Sequence, residues 1–197
     1  MKRPNLKIIS YSLTTCAALL LCQCSPVTTT HPLTTKPKAI DREKFEGSWL
    51  IDDEGHTLQV KFDDEGIAQI AALEWKNNHF ELETMEMTIA EGGEHNFMSL
   101  RAKEDGQWMK NYFFAQYKFT EQGDLVAWLP DSKAFENAIK EKLIHGKIKP
   151  GKYSTDINVS SDASTLLKLI NSSKNPELFD YQNPIVLRKI ASSKKDE

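Results

Sequence analysis

Residues 41–190 are expected to form a mainly β domain, an antiparallel meander that closes into a barrel, with two or three short helices in its C-terminal third. Three observations point there. Turn-forming clusters recur about 11 to 17 residues apart, the spacing of successive hairpins. Between the clusters, apolar residues alternate with period two, as on one face of a strand. After residue 129 the apolar spacing lengthens to that of helices.

The turns fall at Asp52-Asp53-Glu54-Gly55, Asp63-Asp64-Glu65-Gly66, Lys76-Asn77-Asn78, Glu91-Gly92-Gly93, Glu104-Asp105-Gly106 and Glu121-Gln122-Gly123. Leu58, Val60 and Phe62 alternate in one intervening strand, and Met98, Leu100 and Ala102 in another. Across residues 80–90 the apolar parity shifts from Phe80 and Leu82 to Met85, Met87 and Ile89, which predicts a bulge near Glu83 or Thr84. Residues 108–119 are apolar on both faces, with Met109, Phe113, Ala115, Tyr117 and Phe119 on one and Trp108, Tyr112 and Phe114 on the other. One face should line the interior, and a helix from the second half should cover the other; an exposed docking surface is the alternative. Strands tied in succession by short turns favour an up-and-down barrel over a sandwich, and closure removes exposed edges.

Further along, Phe135, Ala138, Ile139 and Leu143 recur at helical spacing behind a capping Asp131 or Ser132, with Gly146 after the end. Leu166, Leu167, Leu169 and Ile170 mark a second helix within residues 161–171. A third short turn can start at Asn175-Pro176. Residues 185–190 read as a last strand and residues 191–197 as a polar tail.

Ahead of the domain, Lys2, Arg3 and Lys7 precede an apolar stretch from residue 8 to 22 that closes on Leu21-Cys22-Gln23-Cys24. That is the layout of a secretory signal. A membrane span needs about 20 apolar residues, and this stretch is shorter and diluted by Ser10, Ser12, Thr14 and Thr15. The segment resembles a bacterial lipoprotein signal peptide, in which a leucine stands three places before a cysteine that becomes the acylated N-terminus. Leu21 and Cys24 match those places; Gln23 departs from the small residue usual before the cut. The resemblance implies a signal peptide over residues 1–23, lipidation of Cys24, and attachment to a membrane of the bacterial cell envelope without a crossing helix. An ordinary cleaved signal is the alternative. Residues 24–40, with three prolines and five threonines between Ser25 and Ile40, are expected to be an extended tether.

The chain carries 25 basic and 28 acidic residues; removal of the signal leaves 22 basic residues against the same acids, a net of −6. Residues 41–130 hold 19 acids and 8 bases, whereas residues 131–197 hold 9 acids and 12 bases. So acidic a body argues against nucleic acid as a partner. Lys140, Lys142, Lys147, Lys149 and Lys152 form a basic cluster that either complements the acidic half or meets a polyanion such as anionic lipid.

At Phe45-Glu46-Gly47-Ser48-Trp49 the chain resembles the start of the lipocalin and wider calycin barrels, where a Gly-x-Trp motif opens the first strand. The resemblance implies that Trp49 plugs one barrel end behind Gly47 and stacks on an arginine of a late strand, for which Arg188 is the candidate. The family's second motif, Thr-Asp-Tyr, is replaced by Lys110-Asn111-Tyr112, and helices precede Arg188, so no ligand-specific residue carries over.

No catalytic or cofactor motif stands out. All three cysteines lie in the signal segment, and the five histidines are dispersed, so neither a metal site nor a bound cofactor is expected. Glu81, Glu83 and Glu86 alternate with apolar residues as on a solvated strand face, and no serine sits in a nucleophile elbow. Two non-enzymatic functions stand. One is a membrane-anchored binding module for a small hydrophobic ligand or envelope component, with Trp75, Met85, Met87, Tyr112 and Phe114 as candidate ligand contacts. The other is an interaction protein, an inhibitor or assembly accessory with a packed barrel core and an envelope protein as partner. Methionine in the lining suits either adaptable binding or gap filling.

Overall fold

The computed structural model describes residues 26–34, 41–51, 56–76, 78–92, 95–152, 154–172 and 178–190. The expected signal peptide, Cys24, the turns at residues 52–55 and at Asn175-Pro176, and the tail at 191–197 lie outside these residues.

Eight strands close an antiparallel barrel. In chain order they are β2 (Gly47–Leu50), β3 (Thr57–Phe62), β4 (Ala68–Lys76), β5 (His79–Gly92), β6 (His95–Glu104), β8 (Tyr112–Phe119), β9 (Leu125–Trp128) and β12 (Ile185–Lys189). Each pairs with the next, with only the short β7 (Gln107–Trp108) between β6 and β8. Closure comes from β12, which pairs Val186 with Val126 on β9 and Lys189 with Trp49 on β2. The chain therefore leaves the barrel after β9, builds a separate layer, and returns for the final strand. That detour contains helices α2 (Ser132–Lys140) and α3 (Ala163–Ile170) and the hairpin β10 (Gly146–Pro150) with β11 (Thr155–Val159). The meander, its lipocalin-like closure and the helices of the C-terminal third are as the residue pattern predicts.

Both longer helices begin where an aspartate can accept an otherwise unsatisfied N–H. Ala134 N donates to Asp131 at 2.7 Å, and Thr165 N to Asp162 at 2.9 Å. Their apolar faces meet the outer face of the barrel. Phe114 of β8 lies 5.5 Å from Phe135 of α2 and 6.1 Å from Phe179, ring to ring. The two faces of β8 thus serve two cores: Ala115 and Tyr117 join the interior with Trp49, Ile70 and Met87, while Phe114 joins Phe97, Phe135, Ile157 and Leu166 outside. Gly146 allows α2 its close approach, because a Cβ there would come within 2.6 Å of Ile139 and 2.8 Å of the Asn158 carbonyl.

Three expectations need correction. Part of the presumed tether is folded: β1 (Val27–Thr29) pairs parallel with β11 and antiparallel with β8, and Leu33 is buried with its N–H donating to Ser99 Oγ at 3.0 Å. Val27 and Leu33 supply the apolar contacts that offset its ordering, so composition alone misjudged the segment. The bulge is absent, since β4 and β5 pair without interruption from Ala68↔Met87 to Lys76↔His79. Phe80 and Leu82 simply occupy the outward face of a hairpin that runs beyond the pairing of β5 with β6, which ends at Met85↔Ala102. Finally, residues 108–119 are not one strand; β7 ends at Trp108 and β8 begins at Tyr112.

Candidate functional site

One end of the barrel is built shut. The short helix α1 (Arg42–Phe45) delivers Phe45 beneath the interior, with ring centroids 4.9 Å from Phe119, 5.5 Å from Tyr117 and 6.2 Å from Phe62. Edge-on contacts of this kind suit the charge distribution of aromatic rings. Trp49 is buried, and its Nε1–H donates to the Phe45 carbonyl at 2.7 Å. Gly47 takes φ +123°, a conformation that side chains rarely adopt.

The cation over the indole is Lys189, whose Nζ stands 5.4 Å from the ring centroid. The assignment of Arg188 to that role is corrected by one residue of register. Lys189 pairs with Trp49 across β12 and β2 and shares its face, whereas Arg188 pairs with Leu50 on the opposite face. Lys189 Nζ also donates to the carbonyls of Glu43 at 2.6 Å and Lys44 at 3.1 Å, satisfying helix-end acceptors of α1. One side chain therefore ties the plug helix to the closing strand.

Above this floor lies an internal cavity of about 90 Å³. Its lining is wholly apolar and includes Trp49, Leu58, Ile70, Met85, Met87, Met98, Leu100, Ala102, Leu125 and Leu187. Such walls offer water no hydrogen-bond partner, so the space favours hydrocarbon. The inward parity of β4, β5 and β6 aligns Ile70 with Met85 and Met87 with Leu100, bringing the thioethers to the interior.

Of the predicted ligand contacts, Met85 and Met87 line the cavity. Phe114 borders it from a strand position whose ring belongs to the outer core. Trp75 and Tyr112 are elsewhere. Trp75 is 60 % exposed near the tip of the β4–β5 hairpin, 4.8 Å from Phe80, because odd-numbered positions of β4 face outward. Tyr112 lies under the Arg101 guanidinium at 5.0 Å, on the outer face where Arg101 also pairs with Glu86. Met98, Leu100 and Ala102 are legible in sequence as one strand face and prove to be lining. Ile185 and Leu187, which alternate in the expected last strand, also line the space.

The histidines do not line the cavity. His56 Nε2 lies 3.7 Å from Glu74, and His79 Nε2 3.5 Å from Glu81. His95 Nδ1 meets Gln116 Nε2 at 3.1 Å, and the Tyr181 hydroxyl donates to Gln116 Oε1 at 2.8 Å. These contacts disperse the histidines among separate partners. Among the described residues, no group of three or more His, Cys, Asp or Glu is arranged to hold a metal ion.

The fold and its interior define an up-and-down β-barrel, lipocalin-like in architecture and compatible with a ligand-binding module. No protein-family model, curated protein or solved structure matches the chain.

Proposed function

We propose that this protein is a lipid-anchored, non-catalytic barrel of the bacterial envelope that holds a small apolar molecule in its interior. The observation that carries the reading is the cavity: a wholly apolar space of about 90 Å³ above a plugged floor. A ligand there gains from leaving water and from shape, with no polar wall group to orient it. Known small-molecule sites are larger, about 300 to 1,000 Å³. Entry of an acyl-type chain therefore requires Met85, Met87 and Met98 to change rotamer, for which their unbranched thioethers are suited. Lipidation at Cys24 rests on the match of Leu21 and Cys24 to the lipoprotein signal pattern. Titration with an environment-sensitive fatty-acid probe tests the cavity. Saturable binding that Ala102→Val weakens supports the reading, and the absence of binding to folded protein overturns it.

The interaction-protein reading has its own observation. Leu73 pairs with Leu82 and Trp75 with Phe80 on the outward face of the β4–β5 hairpin, and all four side chains are exposed. An apolar strip in this setting suits contact with another protein. Loss of a crosslinked envelope partner on Trp75→Ser, with probe binding intact, would assign the partner to this strip.

A further inference from the structure

We infer that the β10–β11 hairpin is a docking surface for anionic lipid, lying against the bilayer that holds the anchor. The inference rests on the lipid-anchor reading and adds an orientation to it. Its first support is the direction of β1. Val27 pairs with Ile157 in parallel, and Ile157 N donates to the Pro26 carbonyl at 3.1 Å. Going back from Val27 to Pro26 is therefore going back along β11 toward the β10–β11 turn, which is closed by Gly151 N donating to Ser154 O at 2.7 Å. In the sequence Cys24 stands three positions before Val27, as Ser154 stands three before Ile157. Two residues of chain from Pro26 to Cys24 span at most about 7 Å. An acyl chain on Cys24 consequently brings this end of the domain to the headgroups. A long tether would have left its orientation free; the folding of β1 removes that freedom.

Charge supplies the second, independent support. Lys147 and Lys149 alternate with Ile148, whose register partner Ile157 is buried in the outer core, so both lysines share the solvent face of β10. Lys152 is exposed in the turn. Asp156, opposite Lys149, is the single acid of residues 146–159, leaving this hairpin at +2. Residues 41–130, which supply most of the barrel, stand at −11. An anionic surface attracts the first and repels the second. The effect operates at the reach the anchor imposes, since headgroup charge is felt over about 8 Å at physiological ionic strength. Each lysine so placed strengthens attachment roughly fivefold.

The test uses the full acylated protein reconstituted on neutral phosphatidylcholine vesicles and on vesicles that also contain phosphatidylglycerol. Flotation reports the anchor. A membrane-impermeant amine reagent, read by peptide mass spectrometry, reports docking. Labelling of Lys147, Lys149 and Lys152 is expected to slow about fivefold on the anionic vesicles and to recover in 0.5 M salt on the order of the screening expected, with exposed Lys133 and Lys168 as unchanged references. Lys149→Glu should restore labelling at Lys147 and Lys152 while the near-ultraviolet dichroism shows the fold intact. Equal labelling on both vesicles, with flotation retained, overturns the docking surface alone. Failure to float from neutral vesicles, with Cys24 unmodified, overturns the anchor and the docking surface together.

Discussion

Replacing Ala102 by valine decides whether the barrel centre has room to use. Ala102 is buried on the inward face of β6 and lines the cavity beside Met85, its register partner. A space of about 90 Å³, at roughly 24 cal/mol per Å³, costs the fold about 2 kcal/mol. Valine adds two methyl groups, each contributing about 0.8 kcal/mol when buried, and a β-branched side chain suits a strand. The expected gain is about 1.5 kcal/mol, below the ceiling set by the cavity. For a domain of this size that raises the melting temperature by roughly 3 to 6 °C. Differential scanning calorimetry reads the gain, and the fatty-acid probe read in parallel should bind more weakly because the same space is now occupied. Overpacking of a full core has the opposite sign, costing about 1 to 3 kcal/mol. A lowered melting temperature with unchanged probe affinity would refute the assignment of the cavity as the binding site.

Other positions yield sharp contrasts. Trp49→Ala removes a buried plug together with its hydrogen bond to Phe45 and the Lys189 contact; a loss of about 3 to 5 kcal/mol in denaturant unfolding is expected, and a loss under 1 kcal/mol would contradict the closed floor on the order of that estimate. Trp75→Ala, at an indole 60 % exposed, should change stability by no more than about 0.5 kcal/mol, and a larger drop would place that ring in a core. Asp162 is held well below the usual carboxylate range, first by the Ser164 hydroxyl and then by the Thr165 N–H and hydroxyl. Because the folded group is the stronger acid, its stabilisation of α3 is complete above the ordinary carboxylate pKa and fades as pH falls through the lowered value. A carboxyl NMR titration should show Asp162 ionised where ordinary aspartates have protonated, and Ser164→Ala should move its midpoint upward; an ordinary midpoint in the parent protein would contradict the cap geometry.

The barrel was legible because its strands alternate and its turns carry glycine, asparagine and aspartate at regular intervals. Thr57–Phe62 needs only Leu58, Val60 and Phe62 to declare its inward face, and all three are buried. The β10–β11 hairpin was not assigned, although Lys147-Ile148-Lys149 and Asp156-Ile157-Asn158-Val159 alternate, because each strand spans a single short period and one ends in Pro150. Its stability comes from packing Ile157 and Val159 against distant residues, a term that local pattern does not carry. The same limit hid β1. Threonines and prolines suggested a tether, while Val27 and Leu33 find burial only once β8 and β11 are in place.

At the candidate site, the adaptability of methionine pointed to Met85 and Met87, whereas hydrophobicity alone misplaced Trp75, since it says nothing about how far a hairpin runs beyond its neighbours. The cation for Trp49 was off by one residue for a related reason. Arg188 was the residue named, but the register with β2 puts its neighbour Lys189 on the tryptophan's face. Arginine was the residue implied by family likeness, whereas pleat geometry selects lysine.

Native mass spectrometry of the protein extracted from membranes tests the central claim most directly, because one spectrum reports the anchor and the bound molecule together. The expected result is a mature chain beginning at an acylated Cys24 and carrying a dissociable apolar adduct, with adduct occupancy reduced in Ala102→Val. An unacylated chain starting elsewhere, free of any adduct while still folded, would contradict the account of a lipid-anchored barrel with an apolar ligand.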